Sequence, residues 1–181
     1  MKMFRWFGVA QVLTWEELAP VERQMIERAV VTREHAQAPY SKDFRVGAAV
    51  QTELGGIYAG MNVENANWTL TSHAEKCAIV AAITDECAGI KIARIAVVAG
   101  PSTQRITLPP LLDPDVTPEE VFAEASALCG GCRQDVWENA HDDPSVGVLL
   151  LHASGYIIRT TIGSIFPMPF GPKQLGVSYS P

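Results

Sequence analysis

The sequence predicts an α/β layered fold, and three observations carry that expectation. Helix-period segments alternate with short runs rich in Val, Ile and Ala; the latter suggest about five strands; and Gly- or Pro-marked turns separate the segments. With 181 residues, 48% of them apolar and 19% charged, one domain with a filled core is expected over residues 1–181.

Residues 1–13 read as an N-terminal extension. Lys2 and Arg5 precede a short apolar stretch that Gln11 interrupts, and no small-residue cleavage site follows, which argues against a secretory signal. Thr14-x-x-Glu17 has the capping-box pattern, with Leu13 and Leu18 placed to staple it. Pro20 suits a first helical position better than an interior one, and Val21, Met25, Ala29 and Val30 recur at helical spacing up to about His35. Pro39-Tyr40-Ser41 ends that helix. Arg45 to Thr52 reads as a strand, Gly55-Gly56 as a turn and Ile57 to Val63 as the partner strand.

A second helix is expected from about His73 to Cys87, closed by Gly89. The apolar run Ile92–Ala99 reads as a buried strand. Residues 101–126 hold Pro101, Pro109, Pro110, Pro114 and Pro118 and read as a surface insertion, with one short helix starting at Thr117-Pro118-Glu119-Glu120. A helix then runs from Cys132 to about Asn139, strands follow at Val146–His152 and Tyr156–Ile162, and the tail is irregular.

Fourteen basic against twenty acidic side chains give a net charge of −6, which disfavours a nucleic-acid partner because phosphate backbones demand clustered Lys and Arg. No apolar run reaches the roughly 20 residues of a membrane-spanning helix. Four cysteines in a chain of this length are not the framework of a small secreted domain. A cytoplasmic address with free thiols is the expectation.

Two segments carry the metal chemistry: Ser72-His73-Ala74-Glu75 and Cys129-Gly130-Gly131-Cys132. His73, Cys129 and Cys132 supply three ligands, the count of a catalytic zinc site that keeps its fourth position open. Both segments begin helices, where free N–H groups and the helix dipole favour thiolates. Zinc makes its bound water acidic, with a pKa near ~7 in favourable sites. Glu75 is placed to carry a proton if His73 stands at the very start of its helix, beside Ser72 as N-cap. Ser72-x-x-Glu75 is equally a capping box, and on this segment alone that is the simpler account of Glu75. Cys129-x-x-Cys132 alone also fits a redox pair. Cys77 and Cys87 read as buried helix residues, with Cys77, one turn from His73, an outside candidate for a fourth ligand.

Taken together, H-x-E followed by C-x-x-C is the pattern of zinc nucleobase deaminases, with Leu128 in place of the usual proline. Further segments extend the match: Ala38-Pro39-Tyr40-Ser41, Val46-Gly47-Ala48-Ala49, Gly60-Met61-Asn62-Val63-Glu64-Asn65-Ala66, His73-Ala74-Glu75-Lys76-Cys77-Ala78-Ile79, Cys129-Gly130-Gly131-Cys132-Arg133-Gln134 and Phe170-Gly171-Pro172. On these the chain resembles the zinc-dependent cytidine deaminases of free nucleosides, in the variant with one His and two Cys ligands. The resemblance implies a three-layer α/β/α fold around a mixed sheet of about five strands. It implies one zinc per chain on His73, Cys129 and Cys132, with Glu75 as proton shuttle. It places Asn62 and Glu64 on the sugar hydroxyl, the Ala74 backbone on the pyrimidine, and Phe44 and Val46 on the pocket wall. Phe170 falls on an aromatic that enters a neighbouring subunit's site, which implies a homotetramer or homodimer with shared active sites. One extra residue between Ser41 and Phe44 is expected to displace the aromatic wall.

The implied reaction is deamination of cytidine or deoxycytidine to uridine or deoxyuridine and ammonia, as in pyrimidine salvage. The proline-rich insertion motivates an alternative, deamination of a modified or antibiotic cytosine nucleoside such as blasticidin S. A thiol oxidoreductase would leave His73, Glu75, Asn62 and Glu64 without a role, and a nucleic-acid editor is opposed by the acidic balance.

Overall fold

The computed structural model describes residues 3, 8–87, 89–125 and 127–177. Lys2 and Arg5 of the N-terminal extension and the last position of the 101–126 insertion lie outside the described residues.

Six strands form one sheet: β1 (Ala10–Leu13), β2 (Phe44–Thr52), β3 (Ile57–Met61), β4 (Ile92–Pro101), β5 (Gly147–Leu151) and β6 (Ile157–Thr161). Their order across the sheet is β1-β6-β5-β4-β2-β3. β4 and β5 run parallel and every other neighbouring pair antiparallel, so the sheet is mixed. This is one strand more than the sequence predicts. β1 comes from the stretch read as an extension, and it pairs at the edge with β6 in the register Gln11 opposite Arg159. A four-residue edge strand offers too little alternation to stand out in a sequence.

The helices are α1 (Pro20–Arg33), α2 (Ala74–Glu86), α3 (Pro118–Ala123), α4 (Gly130–Asn139) and α5 (Ile162–Ile165). They form the outer layers by strand alternation. Ala49, Ala96, Val98, Leu149, Leu151 and Ile157 face α1 and pack on its Met25, Ile26, Ala29 and Val30. Ala48, Val50, Ile95, Val97, Val148, Leu150 and Ile158 face the other way, onto Ala78, Ile79 and Ala82 of α2 and Val136 and Trp137 of α4. The three-layer α/β/α arrangement follows directly from this parity.

Pro20 occupies the first turn of α1, where its missing N–H costs nothing. Thr117 caps α3, accepting from the Glu120 N–H, and the Thr117 N–H donates to the Glu120 carboxylate at 2.8 Å. Two turns of detail differ from the sequence reading. Cys87 is exposed rather than buried, standing at the C-cap of α2 with φ 88°. The tail is not wholly irregular, since α5 and a 3-10 turn at Pro172–Leu175 lie within it.

Two contacts fix the elements that carry the cleft. Gly60 on β3 lies so close to α2 that a Cβ there would meet the Ala78 nitrogen at 2.4 Å and the Ala74 carbonyl oxygen at 2.6 Å. Arg33, fully buried, donates to the Gly100 and Pro101 carbonyls at 3.0 and 2.6 Å and so anchors the end of β4 where the insertion leaves the sheet.

Candidate active site

Two helix starts meet above the sheet. Before α2, Val63 and Ser72 exchange backbone hydrogen bonds, each 2.9 Å, which commits the Ser72 N–H to Val63. The helix therefore begins one residue later than the sequence suggests. His73, with extended φ −82° and ψ 148°, is itself the N-cap, and Glu75 is the second helical residue. The Ser72–Glu75 capping box does not form, because its backbone donor is already taken. At α4, Cys129 is the N-cap and its sulfur accepts from the Cys132 N–H at 3.5 Å.

These two caps bring His73, Cys129 and Cys132 together, with one ligand atom from each lying within 4.8 Å of the others. The His73 Nδ1 is 3.6 Å from the Cys129 sulfur and 3.3 Å from the Cys132 sulfur. Zinc bonds of roughly 2.3 Å to sulfur and 2.0–2.1 Å to nitrogen, set tetrahedrally, place sulfur and nitrogen about 3.5 Å apart. The donor set and its spacing therefore fit a zinc ion. Burial first, then the neighbouring Glu75 carboxylate, push the Cys132 thiol far above its ordinary pKa. Sulfur and carboxylate crowded at one buried point suit a dication between them. Cys77 stands outside this ligand group, half-buried, with its thiol pushed up by burial and by Glu75.

A cleft of about 600 Å³ opens onto the cluster, a size usual for small-molecule sites. Its lining includes His73, Ala74, Glu75 and Cys129 together with Phe44, Val46, Asn62 and Glu64. Glu75 is only 5% exposed and Ala74 is fully buried. Cys132 sits behind the lining, and Phe170 is not part of it. The Phe170 side chain is exposed, and its carbonyl accepts from Gln134 Nε2 at 2.9 Å.

Asn62 and Glu64 are held by the loop that carries Phe44. The Asn62 Oδ1 accepts from the Val46 N–H at 2.8 Å, and one Nδ2 hydrogen goes to the Phe44 carbonyl at 3.1 Å. The second Nδ2 hydrogen is left for a ligand. The Glu64 Oε2 accepts from the Tyr40 and Ser41 amides at 2.7 and 3.1 Å. Burial opposes the charge of Glu64, but the Ser41 hydroxyl nearby and those two amides outweigh it and hold the carboxyl below its usual range. The extra residue in this loop does not remove Phe44 from the cleft, because Lys42 and Asp43 absorb it in left-handed conformations with φ 57° and 61°. Asp43 is tied down there, accepting from Arg45 at 2.9 Å and bonding through its backbone to Ala38 and Ser102.

The sequence reading missed Trp68, Glu124 and His152, all of which line the cleft. Trp68 sits 6.1 Å from the Tyr40 ring, centroid to centroid. Nothing in the local pattern marks these residues, since they arrive from a short 3-10 turn, the insertion and the end of β5. Leu128, where proline was expected, is buried against the cleft, and its carbonyl accepts from Arg133 Nε at 2.6 Å.

An α/β/α sandwich with a His-Cys-Cys cluster at two helix caps and a buried carboxylate beside it defines a zinc-dependent hydrolytic deaminase. Residues 20–110 match the family described as the cytidine and deoxycytidylate deaminase zinc-binding region. The chain is similar to a cytidine deaminase of Sporosarcina psychrophila, 33% identical over 84% of this chain and 93% of the relative. It is 34% identical to a cytidine deaminase of Halalkalibacterium halodurans, over 86% of this chain and 98% of the relative. Among solved structures, a cytidine deaminase from Burkholderia pseudomallei superposes with a TM-score of 0.59 at 32% identity, covering 84% of this chain and all of that one. The chain belongs to the cytidine deaminase family.

Proposed function

We propose that this protein hydrolyses cytidine and deoxycytidine to the uridine products and ammonia. One observation carries the reading: His73, Cys129 and Cys132 converge beside Glu75 in a cleft that also holds Asn62 and Glu64. The named relatives are cytidine deaminases along nearly their whole length, which supports the same substrate here.

His73, Cys129 and Cys132 would hold the zinc ion, which would supply an acidified water for attack at C4 of the cytosine ring. The chain's own residues do the rest. Glu75 takes a proton from the attacking water and passes it to the nitrogen leaving C4, so that ammonia departs rather than an amide ion. Burial keeps bulk water from competing for that proton. The free Asn62 Nδ2 hydrogen donates to the oxygen of a sugar hydroxyl, and the second Glu64 oxygen accepts that hydroxyl's hydrogen. The Ala74 backbone meets the pyrimidine, and Phe44 and Val46 form its apolar wall.

Phe170 supports a shared-site assembly. Its ring lies outside the cleft of its own chain and is 61% exposed. Tyr40, Trp68 and Leu70 are also exposed, which is an apolar rim that a second copy would cover. We read the protein as a homo-oligomer, a tetramer or a dimer, whose active sites are completed by Phe170 of a neighbour. Cys77, Cys87, Cys129 and Cys132 are free thiols, and a cytoplasmic address is our reading. No helix among those residues is long and apolar enough to cross a membrane.

The test is a substrate panel. Zinc-loaded protein is incubated with cytidine, deoxycytidine, cytosine and a bulky modified cytosine nucleoside while ammonia release is followed. Ammonia from the first two is expected. Turnover confined to the modified nucleoside would transfer the assignment to that class, for which the insertion reaching the cleft through Glu124 is the supporting feature.

A further inference from the structure

We propose that Glu124, held opposite His152 at the cleft, is a specificity-determining residue that excludes 5′-phosphorylated nucleotides and admits neutral nucleosides. The inference rests on the cytosine-nucleoside reading and extends it to a residue that the 101–126 insertion brings in.

The insertion is docked on the turn between β5 and β6. The Asp113 N–H donates to the Ser154 carbonyl at 2.9 Å. Gly155, with φ 87°, lies so close under the insertion that a Cβ there would meet the Leu111 carbonyl oxygen at 2.3 Å. The same turn carries His152, whose N–H donates to the Tyr156 carbonyl at 2.9 Å. On the other side, Val121 of α3 is fully buried in the core, and Glu124 follows as the C-cap of that short helix. The insertion thus places Glu124, and the turn it docks on places His152.

The two side chains face each other, His152 Nε2 lying 3.9 Å from Glu124 Oε2. The Ser154 N–H approaches His152 Nδ1 at 3.2 Å. The Ser154 hydroxyl lies 2.7 Å from the same nitrogen, so Ser154 holds the Nδ1 side of the ring and leaves Nε2 turned toward Glu124.

Charge makes the pair selective. The residues lining the cleft include three carboxylates, Glu64, Glu75 and Glu124, and neither Lys nor Arg. A phosphate monoester carries about −1.5 to −2 at neutral pH. Salt screens exposed charges over a Debye length of ~8 Å at physiological ionic strength and screens groups inside a cleft less. A nucleotide would enter against like charge with no Lys or Arg among the lining residues to receive its phosphate, whereas a nucleoside carries no charge to be repelled. Among the three carboxylates Glu64 is bound by backbone amides and Glu75 is buried at the metal cluster. Glu124, 74% exposed, is the one whose charge can be changed without disturbing the cluster.

The experiment measures binding, independently of turnover. Zinc-loaded wild type, Glu124→Gln and Glu124→Lys are titrated with uridine and with uridine 5′-monophosphate by calorimetry, at low and at high salt, with zinc content and circular dichroism recorded. Wild type is expected to prefer uridine. Glu124→Lys should narrow that preference by about tenfold or more through tighter binding of the monophosphate, with Glu124→Gln intermediate and both effects shrinking in high salt. Uridine binding with a preference unchanged in both variants overturns this inference alone. A wild-type protein that binds neither ligand overturns the nucleoside reading and this inference with it.

Discussion

The His73 Nδ1 and the Cys132 sulfur lie 3.3 Å apart although 59 residues separate them in sequence. What joins them is the packing of α2 and α4 on the same face of the sheet, through Ala78 and Ile79 on one side and Val136 on the other. Each helix presents its N-terminus: His73 and Cys129 stand at the caps, and Cys132 is the third residue of α4. The cluster is therefore a property of the core as much as of the motif.

Removing a ligand from this cluster should remove the metal. Cys129→Ala leaves His73 and Cys132, and two protein ligands hold zinc far less well than three. Metal analysis of the purified variant should show zinc well below one per chain, with deamination lost in parallel. Full occupancy in the variant would mean that a different ligand set is in use.

Moving a helix start should act on the cluster from a distance. Gly60→Ala puts a methyl group against the α2 backbone at Ala74 and Ala78, where no flexible side chain can yield. Overpacking of this kind costs about 1–3 kcal/mol. Here it would shift the helix that carries His73 and Glu75. Denaturant unfolding should show the stability loss, and a zinc chelator should strip the variant faster than wild type. A variant with wild-type stability and metal retention would show that α2 is not held by this contact.

The proposed sharing of active sites predicts a concentration-dependent enzyme. Phe170→Ala should raise KM for cytidine several-fold, since stacking is worth about 0.5–1.5 kcal/mol beyond burial. Sedimentation should show an oligomer for wild type at assay concentration. A fully active monomer would remove Phe170 from the site.

Much of this was legible in the chain. The period of Val21, Met25 and Ala29 marks α1, and the β-rich run before Gly55-Gly56 marks the first hairpin strand, because each element buries one face and repeats accordingly. The group His73, Cys129 and Cys132 was readable because metal chemistry restricts residue type and spacing. The exact N-cap was not. Ser72 looks like a better cap than His73, but its N–H is committed to Val63, a long-range pairing that no local pattern reveals. Strand β1 stayed hidden for the same reason: it is a strand only because β6 lies beside it. Glu124 and His152 are ordinary surface types until the insertion folds over the β5–β6 turn.

The central claim is that Glu75 moves protons rather than capping α2, and one measurement separates the two: steady-state turnover of cytidine by Glu75→Gln at full zinc occupancy. An amide can replace a carboxylate as a hydrogen-bond acceptor but cannot take up and deliver a proton near neutral pH. The account predicts an intact fold, one zinc per chain and a kcat reduced by more than about 10²-fold, the lower bound for general acid–base help. A zinc-loaded Glu75→Gln enzyme that deaminates cytidine at close to the wild-type rate would contradict it.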